Sequence, residues 1–375
     1  MHIDRRDFLR AALTLSASVA LPNGAQAGNN KETAIGVFAE GGMSSINSFD
    51  YKPNAPKEIR GDTGKANYGE TGVVFSPYFP HLARLSGKMA VIRSMVSTSL
   101  SHKEADDEAV IEGGKGLAGR LGRLRSGGIP YLYGELPGAD LNTIYRTPHK
   151  PELITEWDGK NFIPPKIEKA NAQELHSRRD LLKKLDSLQI DKTTQEALFQ
   201  QRECAYDLLS GSMEAFNLPQ DELKRYGNTA PGKAMLLSRR LAEMGKARSI
   251  VFRTTDWDFH NDLHRRMEKP AMELDQAIAA LLEDMGKKWE GLFWMRTEFG
   301  RQSVLNSSGG REHSPVSSAI LAGKRIKPGV IGETSSLLET KGPSVQPKDF
   351  QKILLEAMGS PPEFGNQVTS LLIKR

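Results

Sequence analysis

Carboxylates, imidazoles and one prominent arginine gather in four short stretches of this 375-residue chain. Asp258 and His260 stand two apart in Asp256-Trp257-Asp258-Phe259-His260. Glu298 and Arg301 share Thr297-Glu298-Phe299-Gly300-Arg301, and just beyond lies Arg311-Glu312-His313. His102 falls in the segment 97–104, and Asn47 in the segment 41–50 behind the pair Gly41-Gly42. Oxygen donors and imidazole nitrogens are the groups that hold Zn, Mn, Mg or Ca, so the chemistry they suggest is binding of a divalent metal. In an extended loop Asp258 and His260 present their side chains to one side. Plainer readings stand beside each. An Asp-x-His pair also suits a hydrogen-bonded surface loop, His264 lies among Arg265, Arg266 and Glu268 as a solvated residue would, and Ser101-His102-Lys103-Glu104 has the spacing of a helix capping box.

The elements that must position these residues are legible from periodicity. Strands are expected at 34–39, 89–94, 248–253, 291–295 and 317–322, and helices at 80–86, 101–112, 231–244, 272–288 and 347–358. An amphipathic helical pair is expected across 173–216, where leucines such as Leu181, Leu185 and Leu188 recur between charges. Lys115, Arg120, Arg123 and Arg125, set among glycines at 113–128, read as a solvated basic loop. Strands separated by helices imply an α/β fold, a mainly parallel sheet sandwiched between helices. Each of the four stretches follows an expected strand, at the sheet edge where such folds collect function.

Met1-His2-Ile3-Asp4-Arg5-Arg6-Asp7-Phe8-Leu9-Arg10, an apolar run over 11–21 and Ala25-Gln26-Ala27 compose a twin-arginine export signal at 1–27. The apolar run is about half of the ~20 residues a membrane helix needs, so no stable membrane span is expected. The implied partner is the twin-arginine (Tat) translocase during export, and the destination periplasmic or extracellular. The remainder, 28–375, is long enough for one large α/β domain or two ordinary ones, with ample material for a buried core. Its formal charge falls from +5 to +4 when three signal arginines and two aspartates are removed, an excess too small and dispersed for nucleic acid. A single cysteine, Cys204, precludes an intrachain disulfide.

The same residues resemble a bacterial family of twin-arginine-exported proteins, domain of unknown function 1501, of the alkaline phosphatase and sulfatase superfamily. The matching stretches run in the family's order: Gly41-Gly42 through Phe49-Asp50-Tyr51-Lys52-Pro53, Glu58-Ile59-Arg60-Gly61, Val91-Ile92-Arg93-Ser94-Met95, Arg225-Tyr226-Gly227 and Leu237-Ser238-Arg239-Arg240-Leu241. Trp257-Asp258-Phe259-His260, Glu298-Phe299-Gly300-Arg301, Gly310-Arg311-Glu312-His313 and Leu321-Ala322-Gly323 continue the series. The resemblance implies an alkaline-phosphatase-like fold and hydrolysis or transfer of phosphate or sulfate esters at a divalent metal. Carried over residue by residue, it makes Asp258, His260, Glu298, His313 and Asn47 metal-site residues, Arg301 an orienting or anion-binding group, and His102 and Ser44 candidate catalytic residues. The nucleophile stays open among Ser97, Thr98, Ser99 and Ser101. A formylglycine sulfatase is set aside because Cys204-Ala205-Tyr206-Asp207 lacks the proline and arginine its motif needs.

Departures from the family pattern bear on the site. Ser45 and Ser97 stand where relatives carry histidine, Glu312 where they carry aspartate, and Asn47 where they carry a ligating aspartate, which weakens affinity for a hard cation. Two readings follow. The first is an exported metal-dependent hydrolase acting on an anionic phosphate or sulfate ester, of a small molecule or a polysaccharide. The second is a catalytically degenerate member that serves as a binding or assembly protein in the envelope.

Overall fold

Thr33–Ala39 (β1), Thr-Ala-Ile-Gly-Val-Phe-Ala, is almost wholly apolar and buried at every position, as a strand covered on both faces requires. It lies in the middle of a nine-stranded sheet formed by the described residues, which are 32–61, 64–110, 117–124, 131–135, 153–164, 212–361 and 371–374 of a computed structural model. The other strands are β2 (Met89–Val96), β3 (Leu132–Glu135), β4 (Leu153–Trp157), β5 (Phe162–Ile163), β6 (Ser249–Thr254), β7 (Gly291–Arg296), β8 (Val316–Gly323) and β9 (Gly329–Ile331). Their order is β9-β2-β8-β7-β1-β6-β3-β4-β5. β1 runs parallel to β6 and β7, and β3 parallel to β6 and β4. β8 is antiparallel to both β7 and β2, so β2 points the same way as β1. The carboxyl ends of β1, β2, β6 and β7 and the start of β8 therefore share one edge.

Helices cover both faces. On one, α3 (Ala230–Glu243) and α4 (Leu263–Asp284) bring Leu236, Leu237, Leu241, Leu274, Ile278 and Leu281 against Ile35, Val37 and Phe293. On the other, α2 (Leu117–Arg123) and α5 (Pro347–Ala357) bring Leu121, Phe350, Ile353 and Leu354 against Ala34, Phe38, Leu292 and Trp294. Alternate residues of β1 thus enter opposite cores. Gly36 accommodates the Trp294 ring, from which a Cβ would lie 2.2 Å. Away from the strand ends, the buried Arg239 donates to Glu222 and Glu243 and ties α3 to the short helix Gln220–Tyr226; Tyr226 in turn donates to Asp284 of α4 at 2.7 Å.

The expected strands and helices agree with this architecture, with instructive exceptions. α4 starts nine residues earlier than expected and passes through Pro270. Proline reads as a breaker, but Leu263, Met267, Ala271, Leu274, Ile278 and Leu281 continue one buried stripe across it. The basic stretch read as a solvated loop contains α2, whose Leu117, Ala118 and Leu121 are buried. Ser101 and Glu104 do not close a capping box; Glu104 accepts the Ser99 hydroxyl at 2.8 Å, and the Ser101 N–H goes to that same hydroxyl. Apart from 212–216, which include the short helix Ser212–Ala215, the helical pair at 173–216 lies outside the described residues, as does the signal at 1–27. Among the described residues no helix is long and apolar enough to cross a membrane.

Candidate metal centre

β1 ends in a turn at Gly41 and Gly42, with φ of 115° and 75°. A Cβ at Gly41 would lie 2.5 Å from the Asp258 nitrogen, and one at Gly42 2.7 Å from the Phe299 ring, so only glycine lets the three strand-end loops close on one another. The Gly41 N–H donates to Glu298 Oε1 at 2.7 Å, and the Met43 N–H to Thr297 Oγ1 at 3.0 Å. Arg301, fully buried, sits beneath the loops. Its Nε donates to the Gly42 carbonyl at 2.9 Å, Nη1 to the Arg311 carbonyl at 3.0 Å and to His260 Nε2 at 3.2 Å, and Nη2 to the Gly41 carbonyl and to Asp258 Oδ1. A guanidinium has five N–H donors, and all five are taken by protein acceptors. Arg301 thus orients the loops from inside.

Three imidazoles surround Asp258, and each is held through Nδ1. His102 Nδ1 lies 2.8 Å from Glu298 Oε1, His260 Nδ1 2.8 Å from Glu312 Oε2, and His313 Nδ1 2.9 Å from the Leu100 carbonyl. These oxygens only accept, which assigns the proton of each neutral ring to Nδ1 and leaves a lone pair on Nε2. All three Nε2 atoms lie around the same carboxylate, that of His260 also accepting from Arg301 Nη1. His102 Nε2 is 3.6 Å from Asp258 Oδ2, His313 Nε2 3.6 Å from Oδ1, and His260 Nε2 2.9 Å from Oδ1 and 3.2 Å from His313 Nε2. Donor atoms of His102, Asp258 and His313 lie within 4.8 Å of one another. Phe299 packs against the His102 and His313 rings, with centroids 4.8 and 4.4 Å away, and limits their rotation.

His260 Nε2 and Asp258 Oδ1 already accept from Arg301, whereas the Nε2 atoms of His102 and His313 and the second oxygen of Asp258 form a donor set that a cation would join. Of the three carboxylates around the rings, Asp258 is paired with the Arg301 guanidinium, Glu298 with His102 Nδ1, and Glu312 with His260 Nδ1 and Asn306. Two imidazoles and one carboxylate with open positions suit Zn and its transition-metal neighbours. Glu298 and Glu312 stand where outer carboxylates would fix the rings of a metal site. The hydrogen bond to Glu298 raises the His102 pKa, while burial and the nearby Arg301 lower that of His313. Burial alone would push Asp258 up, but the hydrogen bond and charge of the Arg301 guanidinium hold it below the usual range.

The structure thus brings His102, Asp258, His260, His313 and Arg301 together with Glu298 directly behind His102. It places Asn47 and Ser44 elsewhere. Asn47 Oδ1 accepts from Ser44 Oγ at 2.9 Å and Arg311 Nε at 3.0 Å, and its Nδ2 faces His264 Nδ1 at 3.4 Å. Arg311, also fully buried, donates further to the carbonyls of Gln302, Ser303 and Ile59. His264 belongs to this knot, within 3.2 Å of the Tyr78 hydroxyl. Ser97 donates to Glu108 Oε2 at 3.1 Å and Ser99 to Glu104, while Ser101 immediately precedes His102. Sequence reasoning missed the parts played by Glu312, Asn306 and the Leu100 carbonyl. Asn306, which donates to Glu312 Oε1 at 2.8 Å and to the His260 carbonyl at 2.9 Å, has no sequence signal beyond a turn-forming residue near glycines.

The molecule is therefore an α/β protein whose sheet edge carries a two-imidazole, one-carboxylate donor set with a third imidazole beside it. Residues 31–113 and 159–366 match the family described as Protein of unknown function (DUF1501), and the chain belongs to that family. None of the curated proteins matches it. Solved structures that it resembles include the lipoteichoic acid synthase LtaP from Listeria monocytogenes, at 9% identity and a TM-score of 0.44 over 96% of this chain and 81% of that one. The PsFucS1 sulfatase from Pseudoalteromonas sp. has 11% identity and a TM-score of 0.42, over 98% and 76%. The phosphonate monoester hydrolase SpPMH from Silicibacter pomeroyi has 10% and 0.41, over 88% and 74%. These values describe a shared layout and carry no argument about activity.

Proposed function

We propose that this protein is a metal-dependent hydrolase of anionic phosphate or sulfate esters, exported by the twin-arginine route and active outside the cytoplasm. The observation that carries the reading is the convergence of His102 Nε2 and His313 Nε2 on Asp258, each ring held by an acceptor at its Nδ1. His102, Asp258 and His313 would hold the ion, and His260 stands beside them. A bound divalent ion supplies Lewis acidity toward an ester oxygen and lowers the pKa of a coordinated water. Glu298 and Glu312 keep His102 and His260 aimed. Arg301 keeps Asp258 ionised and joins the loops. The edge is open, with Asp258 44% exposed, so an anionic ester can reach it.

Placement of Asn47 supports an intact site over a degenerate one, because its neutral side chain serves Arg311 and not the imidazole cluster. The test is elemental analysis of protein exported in its native host, followed by assays on aryl phosphates, sulfates and phosphonates. One equivalent of a transition metal, lost in His313→Ala together with turnover, is the expected result. Protein that carries no divalent ion, and turns over none of these esters with added Zn, Mn, Mg or Ca, overturns the reading.

A further inference from the structure

α1 (His102–Val110) carries His102 in its first turn yet has little apolar surface with which to dock. Among its described side chains only Ala105 and Ala109 are buried apolar residues. What fixes the helix is polar. Glu108 Oε2 accepts from Ser97 Oγ at 3.1 Å and the Thr98 N–H at 3.0 Å, which holds the far turn to the end of β2. The face that carries His102 is held differently. Asp106, four residues on and so on that face, lies with Oδ2 2.9 Å from Nη2 of Arg253. Arg253 is 3% exposed, its Nε donates to Glu40 Oε2 at 2.6 Å, and its guanidinium lies 5.0 Å from the Phe38 ring centroid.

The three segments that meet at Arg253 are the ones that build the centre. α1 brings His102. β6, in which Arg253 is the penultimate residue, leads into the loop with Asp258. Glu40 directly precedes Gly41, whose N–H holds Glu298, the acceptor of His102 Nδ1. We propose that Arg253 and Asp106 are positioning residues for His102: this buried ion pair sets the height and rotation of α1 so that the His102 Nε2 lone pair is aimed at the Asp258 carboxylate. The inference rests on the metal-centre reading and adds to it a structural control on metal affinity from residues that touch neither ion nor substrate.

The test uses the mature full-length chain, with Zn²⁺ affinity measured by chelator competition and the absorption spectrum of the Co²⁺-loaded protein reporting the ligand set. Arg253→Met and Asp106→Ala are each expected to weaken Zn²⁺ binding about 10–100-fold, the range for residues that orient ligands, and to shift the Co²⁺ bands. The double variant should bind no worse than the weaker single, and Arg253→Lys should recover part of the loss. Arg239→Met, which breaks a buried charge network distant from the centre, should lower the melting temperature and leave affinity and spectrum as in wild type. That control separates positioning from general destabilisation. Should Arg253→Met fail to fold, Asp106→Ala decides, since Arg253 then keeps Glu40. Wild-type affinity and spectrum in the Asp106 variant overturn the proposal; a wild-type protein that binds no Zn²⁺ overturns the metal reading on which it rests.

Discussion

Two fully buried arginines, ten residues apart, organise neighbouring regions in opposite ways. Arg301 pairs with Asp258 in a cluster of carboxylates and imidazoles that is open to solvent. Arg311 lies in a closed knot of carbonyls and the neutral Asn47, where burial without a carboxylate partner pushes its pKa down to about 10. Both spend their donors on loops from the same sheet edge. The difference shows what marks a candidate site: the Arg311 knot is closed and built on carbonyls and a neutral amide, whereas beside Arg301 the donor atoms of His102, Asp258 and His313 converge at an open edge.

Removing a ligand should expose that contrast most strongly. Asp258→Ala is expected to weaken metal binding about 100-fold or more, beyond what orienting residues cost, as read by chelator competition. Arg311→Leu, in the other region, should cost about 3 kcal/mol of stability or more in denaturant unfolding, through acceptors left unsatisfied in a buried place. Metal affinity of whatever remains folded should be little changed. An Arg311 variant that lost metal while keeping its stability would break the comparison.

Smaller effects sharpen it. Glu298→Gln and Glu312→Gln should each reduce metal affinity about 10–100-fold, because the ring each orients loses its charged acceptor. Asn47→Asp should stabilise the protein by about 1 kcal/mol, the gain from turning a neutral hydrogen bond with Arg311 into a charged one, and should not change metal affinity. A carboxylate there would have its folded pKa depressed by Arg311, so the gain is present at neutral pH and lost as pH falls through that value. Tighter metal binding in this variant would place residue 47 in the centre after all.

The smallest expected effect is on pH dependence. Glu298 raises the His102 pKa, so in metal-free protein this histidine contributes stability fully below its unfolded value of about 6.5, and the contribution fades as pH rises through the folded one. Glu298→Gln should flatten that part of the profile relative to wild type. Identical profiles would mean that the His102–Glu298 contact adds nothing.

Much of the fold was legible because burial on both faces imposes a continuous apolar pattern that local sequence displays, as in β1 and β7. β3, β4 and β9, short and irregular in pattern, were not, and neither was the antiparallel sense of β8, which depends on which neighbour a strand meets. Candidate residues were legible as types. Asp258, His260, Glu298 and His313 stood out as potential ligands, and the departure at Asn47 suggested a weakened site.

By itself, then, the sequence determined the strand–helix alternation, the family to which the chain belongs and the chemical repertoire at one sheet edge. Only the tertiary structure decided the roles. Glu298 becomes the acceptor behind His102, His102 joins the donor set, and Asn47 turns away to Arg311. The physical reason is that a ligand's role depends on where its lone pair points, which is set by the hydrogen bond on its other side. That partner can be a backbone carbonyl such as Leu100 or a carboxylate some 200 residues distant, as for His102 and Glu298, 196 positions apart.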